Sequence, residues 1–291
     1  MHQIEATLAG FHIAQKGLGC AQRAAHLHLS QAASHSQFAK QVRETVNGVV
    51  AVADGGHFLA SAVPLTSGAN TISVSATTIT GNTANASISL TQGSASPSPV
   101  ALSVFRPSSF APFRVTFQPT VGALPGGGSV TSLSIDYDGD GIDDVTNPSP
   151  GTALTYLAAT PNLYTARLTV VDSNHNTYVA YAHYLVEDFR RQSGMLCDVY
   201  GYLKQRLIAQ DTAGALTAID PNAQDEFQPL FANNVASLPT YVANLGNIVD
   251  GYLTGRTGTF IVVRQNPNLT LSGYHLEFSQ GADGTWRIAG M

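Results

Sequence analysis

The 291-residue chain has room for two or three domains, and with 44% hydrophobic residues against 11% charged it can bury several small cores and is not disordered by composition. A formal charge of −5 with no Lys/Arg cluster beyond Arg190–Arg191 excludes a nucleic-acid partner. No run of about 18 apolar residues occurs, so the sequence predicts no helical membrane span.

Residues 1–41 hold five of the nine histidines (His2, His12, His26, His28, His35) and show no strand alternation, so they are expected to be a disordered or loosely helical leader. His26 and His28 invite a metal reading, but they lack the i, i+3 or i, i+4 spacing that sets two ligands on one helix face. The segment does not read as a secretion signal, since its apolar stretch is broken by His12, Gln15 and Lys16, and a signal is expected upstream if the protein is exported. Cys20 and Cys197 are expected to be free thiols.

From Val42 the texture becomes β-like. Asn47-Gly48 supplies the positive φ angles of a two-residue hairpin, and further turn pairs follow at Gly55-Gly56, Ser67-Gly68 and Gly81-Asn82. Ile72, Val74 and Ala76 alternate with Ser73 and Ser75, the period of a half-buried strand. The order NGV, GGxFxA, VPLxxGANxIxVxA and GNTAxAS over residues 42–91 resembles the immunoglobulin-like repeats of bacterial surface proteins and secreted carbohydrate-active enzymes. Residues 92–99, QGSASPSP, read as a Ser/Pro linker expected to be flexible.

Residues 100–187 predict a second sandwich. Phe113, Val115 and Phe117 alternate, an acidic turn DYDGDGIDD follows, and a hairpin turns at 173–176 before the alternating strand Tyr178, Ala180, Ala182, Tyr184. This order resembles the polycystic-kidney-disease (PKD) type β-sandwich, with Ile135 where that family carries Trp and Asn162-Leu163-Tyr164 in place of its GTY. The one cofactor the sequence suggests is calcium. Asp136, Asp138 and Asp140 stand at i, i+2, i+4 before Gly141, with Asp144 beyond, the spacing at which oxygen ligands converge on Ca²⁺. Asn147 occupies the twelfth position, where a calcium loop wants a bidentate Glu, and the same aspartates could serve only to accept backbone N–H groups in a turn.

Residues 188–291 predict helices followed by strands. Met195, Val199, Tyr202, Leu203 and Leu207 are at helical spacing, Asp220-Pro221 and Ser237 are candidate helix caps, and the chain closes on a hairpin with Trp286 and Ile288 facing inward. The order resembles the small α+β cone domains of the ketosteroid-isomerase-like superfamily, whose pockets use an Asp base with a Tyr or neutral Asp donor. Asp198, Tyr200, Tyr202, Tyr241 and Asp250 are candidates of those types, and no spacing selects them.

The expected fold is therefore multidomain and mainly β: two antiparallel Ig-like sandwiches followed by an α+β domain with helices on a curved antiparallel sheet. The expected function is a non-catalytic structural or adhesive segment of a secreted or cell-surface bacterial protein, with a protein or polysaccharide partner and self-association through edge strands as a route to assembly. The alternatives are a carbohydrate-binding accessory module, for which Trp286 is the one Trp available, and an enzyme using the C-terminal pocket.

Overall fold

The computed structural model describes residues 11–13, 27–29, 42–54, 57–78, 81–92 and 98–291. His2, Cys20, His26, His35 and linker residues 93–97 lie outside them. In the leader, β1 (Phe11–Ile13) and β2 (Leu27–Leu29) pair antiparallel, with His12 opposite His28 in the register. These six residues are extended, which corrects the expectation of helix or disorder there. FHI and LHL each alternate apolar, polar, apolar, the period of a strand.

The first β module contains β3 (Val42–Val46), β4 (Val49–Val50), β5 (Val52–Asp54), β6 (His57–Leu59), β7 (Gly68–Thr78) and β8 (Thr83–Gln92). One sheet runs β4-β3-β7-β8 and the other β5-β6. Asn47 and Gly48 both take positive φ, as the hairpin requires. The Asn47 side chain also crosses to β7, its Oδ1 accepting from Ser73 N at 2.7 Å and its Nδ2 donating to Thr71 O at 3.3 Å. Asn70 closes the preceding loop, accepting from Thr66 N at 2.8 Å and donating to Thr66 O and Gly68 O. Val46, Phe58, Val63, Ile72 and Val74 form the core.

The second module contains β9 (Val100–Val104), β10 (Ser108–Phe110), β11 (Phe113–Val121), β12 (Val130–Asp136), β13 (Val145–Thr146), β14 (Leu154–Ala158), β15 (Asn162–Asp172) and β16 (Thr177–Glu187). Its sheets run β14-β11-β9 and β10-β16-β15-β12-β13. The expectation of a purely antiparallel sandwich needs correction, because β10 pairs parallel with β16. β10 returns from β9 to the edge of the opposite sheet, and Leu185 N and Ala111 N are satisfied there by Pro107 O and Glu187 O. Phe117, Tyr137 and Tyr184 pack ring to ring at 5.0 and 5.5 Å, and Ile135 is fully buried beside them in the same core. At the β15–β16 turn, buried Asp172 accepts from Asn174 N, Asn176 N, Asn176 Nδ2 and the Tyr178 hydroxyl. Burial alone would raise its pKa, but these donors outweigh burial and hold the carboxyl below its ordinary value.

Among the described residues, β8 and β9 belong to different sheets. The two modules touch directly. Neighbouring residues of a strand point to opposite faces. Phe58 of β6 enters the first module's core, while Leu59 packs on Leu163 and Leu185 of the second. Beside this contact the Asp188 amide donates to Asp54 Oδ2 at 3.0 Å.

The second compact unit centres on residues 189–291. It contains α1 (Phe189–Ile208), α2 (Thr212–Leu216), α3 (Gln224–Asn233) and α4 (Leu238–Ala243), then β17 (Asn247–Thr254), β18 (Thr257–Gln265), β19 (Leu271–Gln280) and β20 (Trp286–Gly290) in sheet order β17-β18-β19-β20. Leu196, Val199, Tyr200, Leu203 and Leu207 form the buried stripe of α1. On the sheet Phe260, Val262, Leu276, Phe278, Trp286 and Ile288 are buried, and Arg287 between the last two is half-buried. Asp220 does not cap a helix, since α3 begins after Ala223. Instead Asp220 accepts from Asn222 N at 2.9 Å and from the Ser279 hydroxyl, and its own amide donates to Ile288 O. Ser237 is the N-cap residue of α4 but makes no side-chain cap bond.

Two predictions follow from this packing. Trp286 is 5% exposed, so Trp286→Ala should cost about 3–5 kcal/mol. Calorimetry should then show the 189–291 unit melting ahead of the sandwiches, and a uniform shift of every transition would contradict this. Asp283 grips Arg287 at 2.7 Å and 3.1 Å, which holds its pKa down at about 2 against desolvation. A depressed carboxyl stabilises the fold above its unfolded value and loses that contribution as pH falls. Asp283→Asn should therefore reduce stability at neutral pH and flatten the loss between about pH 4 and about pH 2. Acid unfolding curves of the two proteins check this.

Candidate site at the acidic turn

The acidic turn begins where β12 ends. Buried Asp136 folds the chain back on itself, its Oδ1 accepting from Gly139 N at 2.7 Å and its Oδ2 from Gly141 N at 3.0 Å. Gly139 is required for two reasons: its φ is +79°, and an added Cβ would meet Thr165 O at 2.7 Å. Asp138 Oδ1 accepts from Asp140 N at 3.2 Å and its Oδ2 from the Tyr156 hydroxyl at 3.0 Å. Asp144 Oδ2 accepts from Tyr137 N at 2.6 Å. Arg167, from β15, sets its guanidinium 3.5 Å from Asp136 and 3.6 Å from Asp143.

Of the four proposed ligands, Asp136, Asp138 and Asp144 come together, with one oxygen of each within 4.8 Å of the others. Asp140 does not join them, because its Oδ1 turns to accept Ile142 N at 2.7 Å. The regular i, i+2, i+4 spacing thus overstates the convergence. The residues sequence reasoning missed are Tyr156 and Arg167, which arrive from β14 and β15 and carry no local signal in the turn.

The electrostatics are those of a crowded anionic loop. Burial, and then the charges of Asp138, Asp136 and Asp140, raise the Asp144 pKa despite the hydrogen bond from Tyr137. Burial and the hydrogen bond to Asp138 push the Tyr156 hydroxyl up to about 12. A cation would relieve this field, and each of the three clustered carboxylates retains lone pairs for one. Against it, Arg167 already supplies positive charge, and the backbone amides already use one or both oxygens of each Asp. The donor set fits a weak calcium site and also suffices as a turn with no ion.

The enzyme candidates of the C-terminal unit are dispersed. Asp198, Asp250 and Tyr241 are exposed, and Asp250 accepts from Gly251 N. Tyr202 is buried with its hydroxyl 3.3 Å from Thr217 Oγ1. Buried Tyr200 meets Tyr274 hydroxyl to hydroxyl at 2.8 Å, and Lys204, 4.7 Å from the Tyr200 ring centroid, donates to Gly246 O. Desolvation raises Tyr200 and lowers Lys204 from their ordinary values. No carboxylate base stands with these phenols among the described contacts. Cys197 is a free, exposed thiol, its pKa raised by burial of the sulfur and then by Asp198.

No family model matches this chain, and no curated protein does. Among solved structures it is similar to the fibronectin(III)-like modules of Clostridium thermocellum CbhA, at 10% identity and TM-score 0.24 over 56% of this chain and 85% of that one. It is similar to murine CEACAM1b at 12% identity and TM-score 0.23, over 65% and 89%. SGBP-B of the Bacteroides ovatus mixed-linkage glucan utilization locus, solved with a mixed-linkage heptasaccharide, gives 16% identity and TM-score 0.18 over 51% of this chain and 37% of that one. Overlaps this slight carry no argument, and the sandwich description rests on the strand orders above.

Proposed function

We propose that this chain is a non-catalytic, multi-module structural segment of a secreted or cell-surface bacterial protein, in which the two sandwiches form a stiff pair that presents a binding surface or holds a neighbouring part at a distance. The observation that carries this reading is the contact of Leu59 with Leu163 and Leu185, which converts two modules in series into a docked pair. The resemblances of residues 42–91 and 100–187 to bacterial Ig-like repeats and PKD-like sandwiches agree with it. Residues 188–291 resemble the ketosteroid-isomerase-like cone, but buried Tyr200, together with Lys204, holds the α4–β17 connection at Gly246, and the hydroxyl of Tyr200 meets that of half-buried Tyr274 rather than a carboxylate. Asp198 and Asp250 are exposed rather than set in an apolar pocket beside a tyrosine, which supports the non-catalytic reading. Trp286, the aromatic platform a carbohydrate-binding reading would use, is buried.

Spin labels at Ser73→Cys and Thr152→Cys, in a Cys20→Ser, Cys197→Ser background, test the docked pair. One narrow distance is expected, broadened when Leu59→Ser and Leu185→Ser are combined. A broad distribution in the parent would refute the reading.

Within this reading the acidic turn binds calcium weakly through Asp136, Asp138 and Asp144, in the millimolar regime of extracellular calcium modules. At a Kd of about 1 mM, 10 mM calcium would stabilise the second module by about 1.4 kcal/mol. A melting temperature raised by calcium in the parent but not in Asp138→Asn, which keeps an acceptor for Tyr156, supports binding. Identical melting with calcium or chelator leaves the turn-forming role alone.

A further inference from the structure

Asp54 and Asp188 are 134 residues apart in sequence and meet in the fold. Asp188 is the single residue between the end of β16 and the start of α1. Its amide is the first after the ladder, and it is held by a carboxylate of the other module: Asp54, 7% exposed, at the end of β5. The preceding residues are gripped on two sides. β10 pairs parallel with Leu185–Glu187, and Leu59 packs on Leu185. The first module thus reaches the end of β16 by an apolar contact and a hydrogen bond three residues apart.

We propose that Asp54 is a positioning residue by which the first sandwich braces the exit of the second, fixing the backbone at Asp188 where the chain passes into α1. This rests on the docked-pair reading and adds a direction to it: the earlier module sets the conformation of the later connection. The physical reason is that a backbone amide at a strand end has no ladder partner, and a charged acceptor held in a buried position supplies one in a single geometry. Leu59 supplies area but no direction; the carboxylate supplies direction.

The test compares Asp54→Ala with Asp54→Asn, which retains a side-chain acceptor, in the full chain. Three readouts are followed: exchange of the Asp188 amide, trypsin cleavage at the exposed Arg190–Arg191 pair, and the Ser73–Thr152 label distance. Asp54→Ala should speed Asp188 exchange at least tenfold and increase nicking, Asp54→Asn should restore most of both, and the label distance should stay narrow. Parent-like exchange in Asp54→Ala would overturn the proposal, and so would an Asp54→Asn variant as loose as the alanine. A label distance that broadens in Asp54→Ala would also overturn it, since Asp54 would then belong to the docking contact itself. A broad distance in the parent would refute the docked pair and the brace with it, whereas a narrow parent distance with parent-like exchange in Asp54→Ala would overturn the brace alone.

Discussion

A backbone amide removed from water must find an acceptor, and this chain, with few charges to spend on its surface, uses aspartates to supply them. Asp136 folds the acidic turn by taking the amides of Gly139 and Gly141, and Asp172 folds the β15–β16 turn by taking those of Asn174 and Asn176. Asp211 caps α2 through Gly214 N, Asp220 takes Asn222 N, and Asp283 takes Thr285 N. Asp54 does the same across two modules. The carboxylates that look like chemistry in the sequence are mostly the parts that let strands turn.

This bears directly on the acidic turn. A calcium loop and a self-satisfied Asp turn begin from the same residues, because both need side-chain oxygens converging on a tight backbone. The difference lies in what already occupies the oxygens. Here amides and Arg167 occupy most of them, and the residual strain is electrostatic, visible in the raised pKa of Asp144. A calcium loop and a self-satisfied turn would then be two occupancies of one geometry.

The module joint shows a second economy. A strand three residues long cannot contribute much core, but β6 has two faces, and both are used: Phe58 for its own sandwich and Leu59 for the next. Parallel addition of β10 to β16 secures the same end of the second sandwich from its edge. In the 189–291 unit the corresponding device is Ile219, which bridges to Ile288 and covers the outer edge of β20.

The local features follow from the order of residues alone. Asn47-Gly48 had to turn with positive φ, Ile72 and Val74 had to share a face, the apolar stripe of α1 had to be buried, and Trp286 and Ile288 had to point inward, because backbone sterics and side-chain period act over a few residues. The aspartates of the acidic turn were legible for the same reason. What met them depended on the assembled fold: Tyr156 and Arg167 at the turn, Leu163 and Leu185 against Leu59, Asp188 on Asp54, and β10 beside β16 in parallel. It also decided that Asp140 would turn away to Ile142 and that Asp220 would tie a loop to β19 and β20 rather than cap a helix. Such pairings depend on which surfaces are left over once each element has formed, and no period in the sequence records a contact between residues tens of positions apart.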